Sequence, residues 1–207
     1  YWLDKPLLIG ELSYDSVRGN ETYGFSFNKE WLAKYGDIFL SGDLQNFAGI
    51  QYTRPERGIF ACFSDAIPDR WGRTLLNRRE LIAAADEKRA ARHLSSFDYL
   101  IGIDDTSRMG GFRFAYNPAG EFINCEASLR VPPLASVREL MYAAHKIEAS
   151  DEKQLLPSKK WLIQLLHPGT SLGGARPKAS VIDEDGSLTV AKFPSRKDDY
   201  DVAQWEH

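Results

Sequence analysis

The segment SLGGARPKAS, residues 171–180, has a composition suited to binding phosphate. Because glycine has no Cβ atom, the backbone amides of Gly173 and Gly174 could come close enough to donate hydrogen bonds to phosphate oxygens. Lys178 follows five residues after the first glycine and adds positive charge. A glycine pair ahead of a hairpin is also typical of an ordinary turn, and the segment lacks the GxGxxG spacing of common nucleotide loops. Two interpretations therefore stand, a turn or a phosphate loop.

A second cation, Lys192, lies in the run SLTVAKF. Side chains alternate along a strand, so Lys192 points to the same side as the apolar Leu188 and Val190. A lysine on a buried apolar face needs a partner, because an isolated buried charge is costly. The partner could be a phosphate, or it could be Glu206 on a following helix capped by Asp198 or by the aspartate after it. A third possibility is that the lysine extends to solvent.

The elements around these residues follow from local patterns. Two strand-like runs flank the acidic turn DEDG, which predicts a hairpin over 178–193. Amphipathic spacing predicts helices over 135–149 and 157–166, the second ending at His167-Pro168-Gly169 because proline cannot continue a helix. The stretch 126–134 has the composition of a linker.

The first 125 residues combine strands with helices. Short apolar runs predict strands in PLLIGELSYD, TYGFSFNKEWL and FLSGDL, and a hairpin over 110–123. Helical spacing dominates 59–93, with Pro68 in a first turn and Asp65 or Asp69 as a cap. Ser95 and Asp98 have the spacing of a capping box.

Composition narrows the classes of function. The chain has 207 residues and a net charge of −3, which gives no overall attraction to nucleic acid or membranes. No apolar run is long enough to span a bilayer. The two cysteines and four histidines show no metal-ligand spacing, so we expect a cytoplasmic protein with no structural zinc. The basic side chains between residues 70 and 92 favour a solvated helix face over a DNA contact.

The whole stretch TSLGGARPKASVIDEDGSLTVAKFPSRKDDYDVAQWE closely resembles the phosphate loop and following strand of HipA-family serine/threonine kinases. These kinases are the toxins of bacterial toxin–antitoxin pairs. Four upstream segments are similar to segments that occur in the same order in that family, namely IGEL, FSFNKEWL, IFACFSDAIPDRWGRTLL and SSFDYLIGIDDTSRMGGFRF.

The resemblance implies an α+β fold in three parts. A small β-rich and helical N-terminal subdomain would cover residues 1–125, and a linker with two helices would cover 126–166. Residues 167–207 would begin a protein-kinase-like N-lobe, in which a glycine loop covers the phosphates and a strand lysine holds them.

The resemblance also assigns roles to individual residues. The family's ATP-phosphate loop corresponds to Gly173, Gly174, Ala175, Arg176, Pro177 and Lys178. Lys192 corresponds to the ATP-binding lysine, with Glu206 as its possible helix partner. Ser171 falls where the family carries an autophosphorylated serine, whose modification ejects the loop; a dianion beside bound ATP would repel it.

By the same resemblance the cofactors are ATP and Mg²⁺. We expect the catalytic and metal-binding aspartates outside these 207 residues, so the chain alone is expected to be inactive. The implied partners are a helix-turn-helix antitoxin, for which the basic helix face is one possible contact, and a protein substrate such as an aminoacyl-tRNA synthetase. DNA would be reached only through the antitoxin. The alternative is a non-catalytic docking or inhibitory module with vestigial nucleotide binding.

Overall fold

The computed structural model describes most of the chain, namely residues 5–17, 19–54, 58–105, 108–124, 136–152, 156 and 158–198. Within these ranges, helices and two small antiparallel sheets form a mixed α+β architecture, which confirms the predicted class at that level. The predicted linker at 126–134 and the predicted lysine partner Glu206 lie outside the described residues.

The first sheet is antiparallel and contains β1 (Gly10–Val17), β2 (Asn20–Phe27) and β3 (Ile50–Tyr52), in that spatial order. One face of β2 is buried through Tyr23, Phe25 and Phe27. These rings pack with other aromatic side chains into a first hydrophobic core, as alternation along a half-buried strand requires.

Three strand predictions for this half of the chain are wrong in detail. The strand predicted over TYGFSFNKEWL ends at Phe27, because the Asn28 side chain accepts hydrogen bonds from two amides and caps α1 (Lys29–Tyr35). FLSGDL forms a loop rather than a strand, with Ser41 donating to the Asp43 carboxylate. The hairpin predicted over 110–123 is reduced to one bridge, between Ala115 and Phe122.

Three helices follow, α2 (Ala61–Ser64), α3 (Arg70–Asp86) and α4 (Ser96–Gly102). Asp69 is the N-cap residue of α3, so Pro68 precedes the cap instead of lying in the first turn. The predicted capping box of α4 is confirmed, since the Ser95 hydroxyl accepts from the Asp98 amide and the Asp98 carboxylate accepts from the Ser95 amide.

The last part of the described chain contains α5 (Val137–Glu152), α6 (Lys159–Gly169), β4 (Lys178–Ile182) and β5 (Leu188–Lys192). Strands β4 and β5 form the predicted hairpin, and Gly186 in its turn has a φ of +82°. Helix α6 continues through Pro168 to Gly169 instead of ending before it. Because proline has no backbone N–H, this last turn lacks the bond that residue 168 would otherwise donate to the carbonyl oxygen four residues earlier.

A second hydrophobic core joins these elements to α3. Trp71 and Leu75 of α3 pack with Leu140, Leu165 and Val181 from α5, α6 and β4. Helix α3 therefore supports the segment that carries the glycine loop, although it lies in the predicted N-terminal subdomain. In the part of the chain that the structure describes, every helix is too short or too polar to cross a membrane.

Candidate phosphate-binding site

The glycine loop connects the end of α6 to β4. Ser171 and Leu172 at its start are buried, whereas Gly173, Gly174 and Ala175 are exposed. Gly174 has a φ of +94°, a conformation that favours glycine over any residue with a side chain. The loop thus exposes three consecutive residues with small or no side chains, as the close approach of a phosphate requires.

Lys178, the first residue of β4, contacts the glycine loop through its side chain. Its Nζ donates to the carbonyl oxygen of Gly173 at 2.6 Å, and the residue is only 6% exposed. A Cβ atom added at Gly174 would lie 2.7 Å from this Nζ. The lysine therefore fixes the shape of the loop and holds a positive charge beside the two glycines.

Lys192 lies opposite Lys178 in the hairpin, since the two residues are Cα partners in the register of β4 and β5. Lys192 is exposed, as are Leu188 and Val190 on the same face, at 54% and 45%. The expectation that Lys192 follows a buried apolar face is therefore wrong. The hairpin buries its other face, with Ala179 and Val181 against the second core. Pairing of Lys192 with Glu206 stays a prediction.

The Arg176 side chain is paired with Asp198. Its Nη1 lies 2.6 Å from Asp198 Oδ2, and the same oxygen accepts from the Ser195 amide at 2.9 Å. The Ser195 amide and the Arg176 guanidinium lower the pKa of Asp198 below its usual value. Next to it, Pro177 is fully buried and its carbonyl oxygen accepts from the Phe193 amide, which ties the loop to the end of β5.

Ser171, the predicted phosphorylation site, is 7% exposed. Its Oγ is buried and makes no hydrogen bond to the described residues. The neighbouring Thr170 hydroxyl donates to the Leu166 carbonyl oxygen at 2.7 Å. A phosphoryl donor could reach Ser171 only if the start of the loop moved outward.

The loop packs against the N-terminal end of α3, a contact that the sequence patterns did not predict. Asp69 Oδ2 accepts from the Gly174 amide at 2.7 Å, and the Trp71 amide donates to the Gly174 carbonyl oxygen at 3.2 Å. The Trp71 indole Nε1 donates to the Lys178 carbonyl oxygen at 2.9 Å. A Cβ at Gly72 would come within 2.2 Å of the Thr170 carbonyl oxygen. The one sequence signal was Gly72, because a glycine inside a helical pattern often marks close backbone approach.

Helix α5 holds the segment that follows β5. Glu148 accepts from the Ser195 hydroxyl at 2.6 Å and from the Arg196 amide at 2.9 Å. His145 Nε2 lies 2.9 Å from the Pro194 carbonyl oxygen. The residues that position Asp198, and through it Arg176, are thus fixed by the second core.

No group of three or more metal-ligating side chains occurs among the described residues. Comparisons of the chain with protein families, with curated proteins and with solved structures found no match.

Proposed function

We propose that the chain binds the phosphates of ATP through residues 173–178 and Lys192, as the nucleotide-binding part of a HipA-like serine/threonine kinase toxin. The observation that carries the proposal is the exposed Gly173–Gly174–Ala175 backbone with two lysines paired in register at its base. The loop follows helix α6, where the kinase order has a strand, but after the loop a strand, a turn and a second strand with a lysine follow one another as in kinase N-lobes.

The chemistry of these groups fits a polyphosphate. Exposed backbone amides donate to phosphate oxygens, and a nearby ammonium group adds Coulomb attraction that is stronger for three phosphates than for one. Lys178 supplies fixed charge beside the glycines, and Lys192 supplies an exposed ammonium group on the same face of the hairpin. Adenine could lie against Leu188 and Val190, the exposed apolar pair beside Lys192.

The remaining parts of the proposal concern residues and partners beyond this site. Mg²⁺ would enter with the nucleotide and neutralise phosphate charge. Its protein ligands, the antitoxin and the protein substrate are proposed on the sequence resemblance. Autophosphorylation at Ser171 belongs to the same proposal, and the burial of its hydroxyl is compatible with a loop that must move for transfer.

A second candidate is a docking or inhibitory module in which nucleotide binding is vestigial. Two observations favour it: the Gly174 amide is already bonded to Asp69, and Arg176 is already paired with Asp198. A donor that is already bonded within the protein gains little from a phosphate.

Calorimetric titration with Mg·ATP separates the two candidates. The variants are Lys192→Ala and, as a matched control, Lys197→Ala, another exposed lysine five residues further along. The kinase proposal predicts saturable binding to the wild type and to Lys197→Ala, weakened about tenfold or more in Lys192→Ala. Absence of binding to the wild type would support the docking module. Equal affinity in Lys192→Ala would remove the role assigned to that lysine.

A further inference from the structure

The Asp69 carboxylate lies over the two loop glycines. Its Oδ2 accepts from the Gly174 amide at 2.7 Å and lies 3.3 Å from the position a Cβ would take at Gly173. Asp69 is itself exposed, so this anion is at the surface from which a ligand would enter.

This contact is unusual because Asp69 is the N-cap residue of α3. An aspartate at the N-cap ordinarily accepts from the amides of its own helix. Asp69 has the extended backbone of an N-cap residue, yet its side chain makes no capping bond and turns to the loop instead. The carboxylate thus bonds an amide that lies 105 residues away in the sequence.

A carboxylate in this place competes with a phosphate. The Gly174 amide has one hydrogen, so it cannot make a full hydrogen bond to both anions, and two negative groups at one donor repel each other. Phosphate could use this amide only after Asp69 had moved away.

Other bonds keep the loop in place without Asp69. The Trp71 amide donates to the Gly174 carbonyl oxygen, and Lys178 Nζ donates to the Gly173 carbonyl oxygen. Loss of the carboxylate would therefore free the Gly174 amide while these two bonds hold the loop against α3.

We propose that Asp69 is a built-in competitor of the nucleotide, an intramolecular anion that occupies the phosphate-binding amide of Gly174 and lowers the affinity for ATP. This inference rests on the proposed function, since it assumes that the loop binds nucleotide phosphate. Because Asp69 belongs to the predicted N-terminal subdomain, that subdomain would directly lower the affinity of the kinase-like part for ATP.

The test compares Mg·ATP affinity of the full chain with that of Asp69→Asn and Asp69→Ser. Asparagine and serine are both good N-cap residues, so each is compatible with the start of α3; asparagine removes the charge but keeps an acceptor for the Gly174 amide, whereas serine removes the carboxylate altogether. Asp65→Asn is the control, because it removes the same charge from an exposed residue four positions earlier. Thermal melting of each variant verifies that it is folded.

We expect Asp69→Ser to bind Mg·ATP about tenfold more tightly than the wild type, Asp69→Asn to gain less, and Asp65→Asn to be unchanged. If the wild type binds and the Asp69 variants bind equally or more weakly, the competition is overturned while the proposed function stands. If neither the wild type nor the Asp69 variants bind, the proposed function fails and the inference fails with it.

Discussion

Lys178 and Lys192 are direct cross-strand partners in the hairpin, yet one is buried and the other is exposed. Lys178 directs its ammonium group to the Gly173 carbonyl oxygen, inside the chain. Lys192 lies at the rim of the same face, beside exposed apolar side chains. The same residue type at opposed positions therefore shapes the loop at Lys178 and, in the proposed function, has a second task at Lys192, which is to attract the nucleotide.

Replacing each lysine by methionine should separate these tasks. Lys178→Met removes a buried donor and leaves the Gly173 carbonyl oxygen without it, so we expect a loss of about 1–3 kcal/mol in the free energy of unfolding. Lys192→Met should cost less than about 1 kcal/mol, since exposed charges contribute little to stability. Urea denaturation followed by tryptophan fluorescence measures both. Equal losses in the two variants would contradict the division of tasks.

Gly72→Ala tests the close approach of α3 to the loop. The added Cβ would lie 2.2 Å from the Thr170 carbonyl oxygen, so backbone must shift. We expect a loss of about 1–3 kcal/mol from overpacking, even though alanine favours a helix over glycine by about 1 kcal/mol. Gly42→Ala is the control, because a Cβ there meets nothing within 4 Å. A Gly72→Ala variant as stable as the wild type would show that α3 and the loop are not in this contact.

Trp71→Phe tests the indole hydrogen bond to β4. The buried Lys178 carbonyl oxygen loses its donor, and we expect a loss of about 1–3 kcal/mol in stability. Trp31→Phe, a buried tryptophan in the first core, controls for the smaller ring. Amide exchange should also rise in β4 of Trp71→Phe and not in that of Trp31→Phe. Unchanged exchange in β4 would argue against the bond.

The stability of the chain should depend on pH through Glu80, a buried residue of α3. Hydrogen bonds from the Arg89 side chain and the Arg92 amide lower its pKa from 4.5 to about 2. A lowered pKa in the folded chain stabilises it above the unfolded value, and this contribution is lost as pH falls from about 4.5 toward 2.

We therefore expect Glu80→Gln to cost about 1–3 kcal/mol at pH 7, with the difference from the wild type shrinking below pH 4.5. Glu87→Gln, which removes an exposed partner of the same Arg89, should cost less than about 1 kcal/mol. Denaturation curves between pH 7 and pH 3 measure both differences. A difference for Glu80→Gln that stays constant over this range would contradict the assigned pKa.

Local patterns predicted the elements that depend on local interactions. The turn around Gly186 and the box of Ser95 and Asp98 are determined by residues a few positions apart, and both are confirmed. FLSGDL was misread because it forms a loop in which Leu44 is buried and Phe39 is exposed, so its apolar residues do not mark one face of a strand.

The site depends on contacts that no local pattern encodes. Asp69 and Trp71 reach the loop across 105 and 107 residues, so their bonds follow from the packing of α3 on the second core. Lys178 and Lys192 share one face of the hairpin, so the burial of one and the exposure of the other depend on what packs over β4 and leaves β5 exposed. Alternation placed Leu188, Val190 and Lys192 on one face but could not determine which face is buried.

The most direct test of nucleotide binding by the loop is an amide ¹H–¹⁵N titration of the chain with Mg·ATP. We predict saturable shifts concentrated at the amides of Gly173, Gly174 and Ala175 and in β5 near Lys192, with the turn glycines Gly19 and Gly186 unchanged. Saturable shifts confined to other parts of the chain, or no saturable shifts at all, would contradict it.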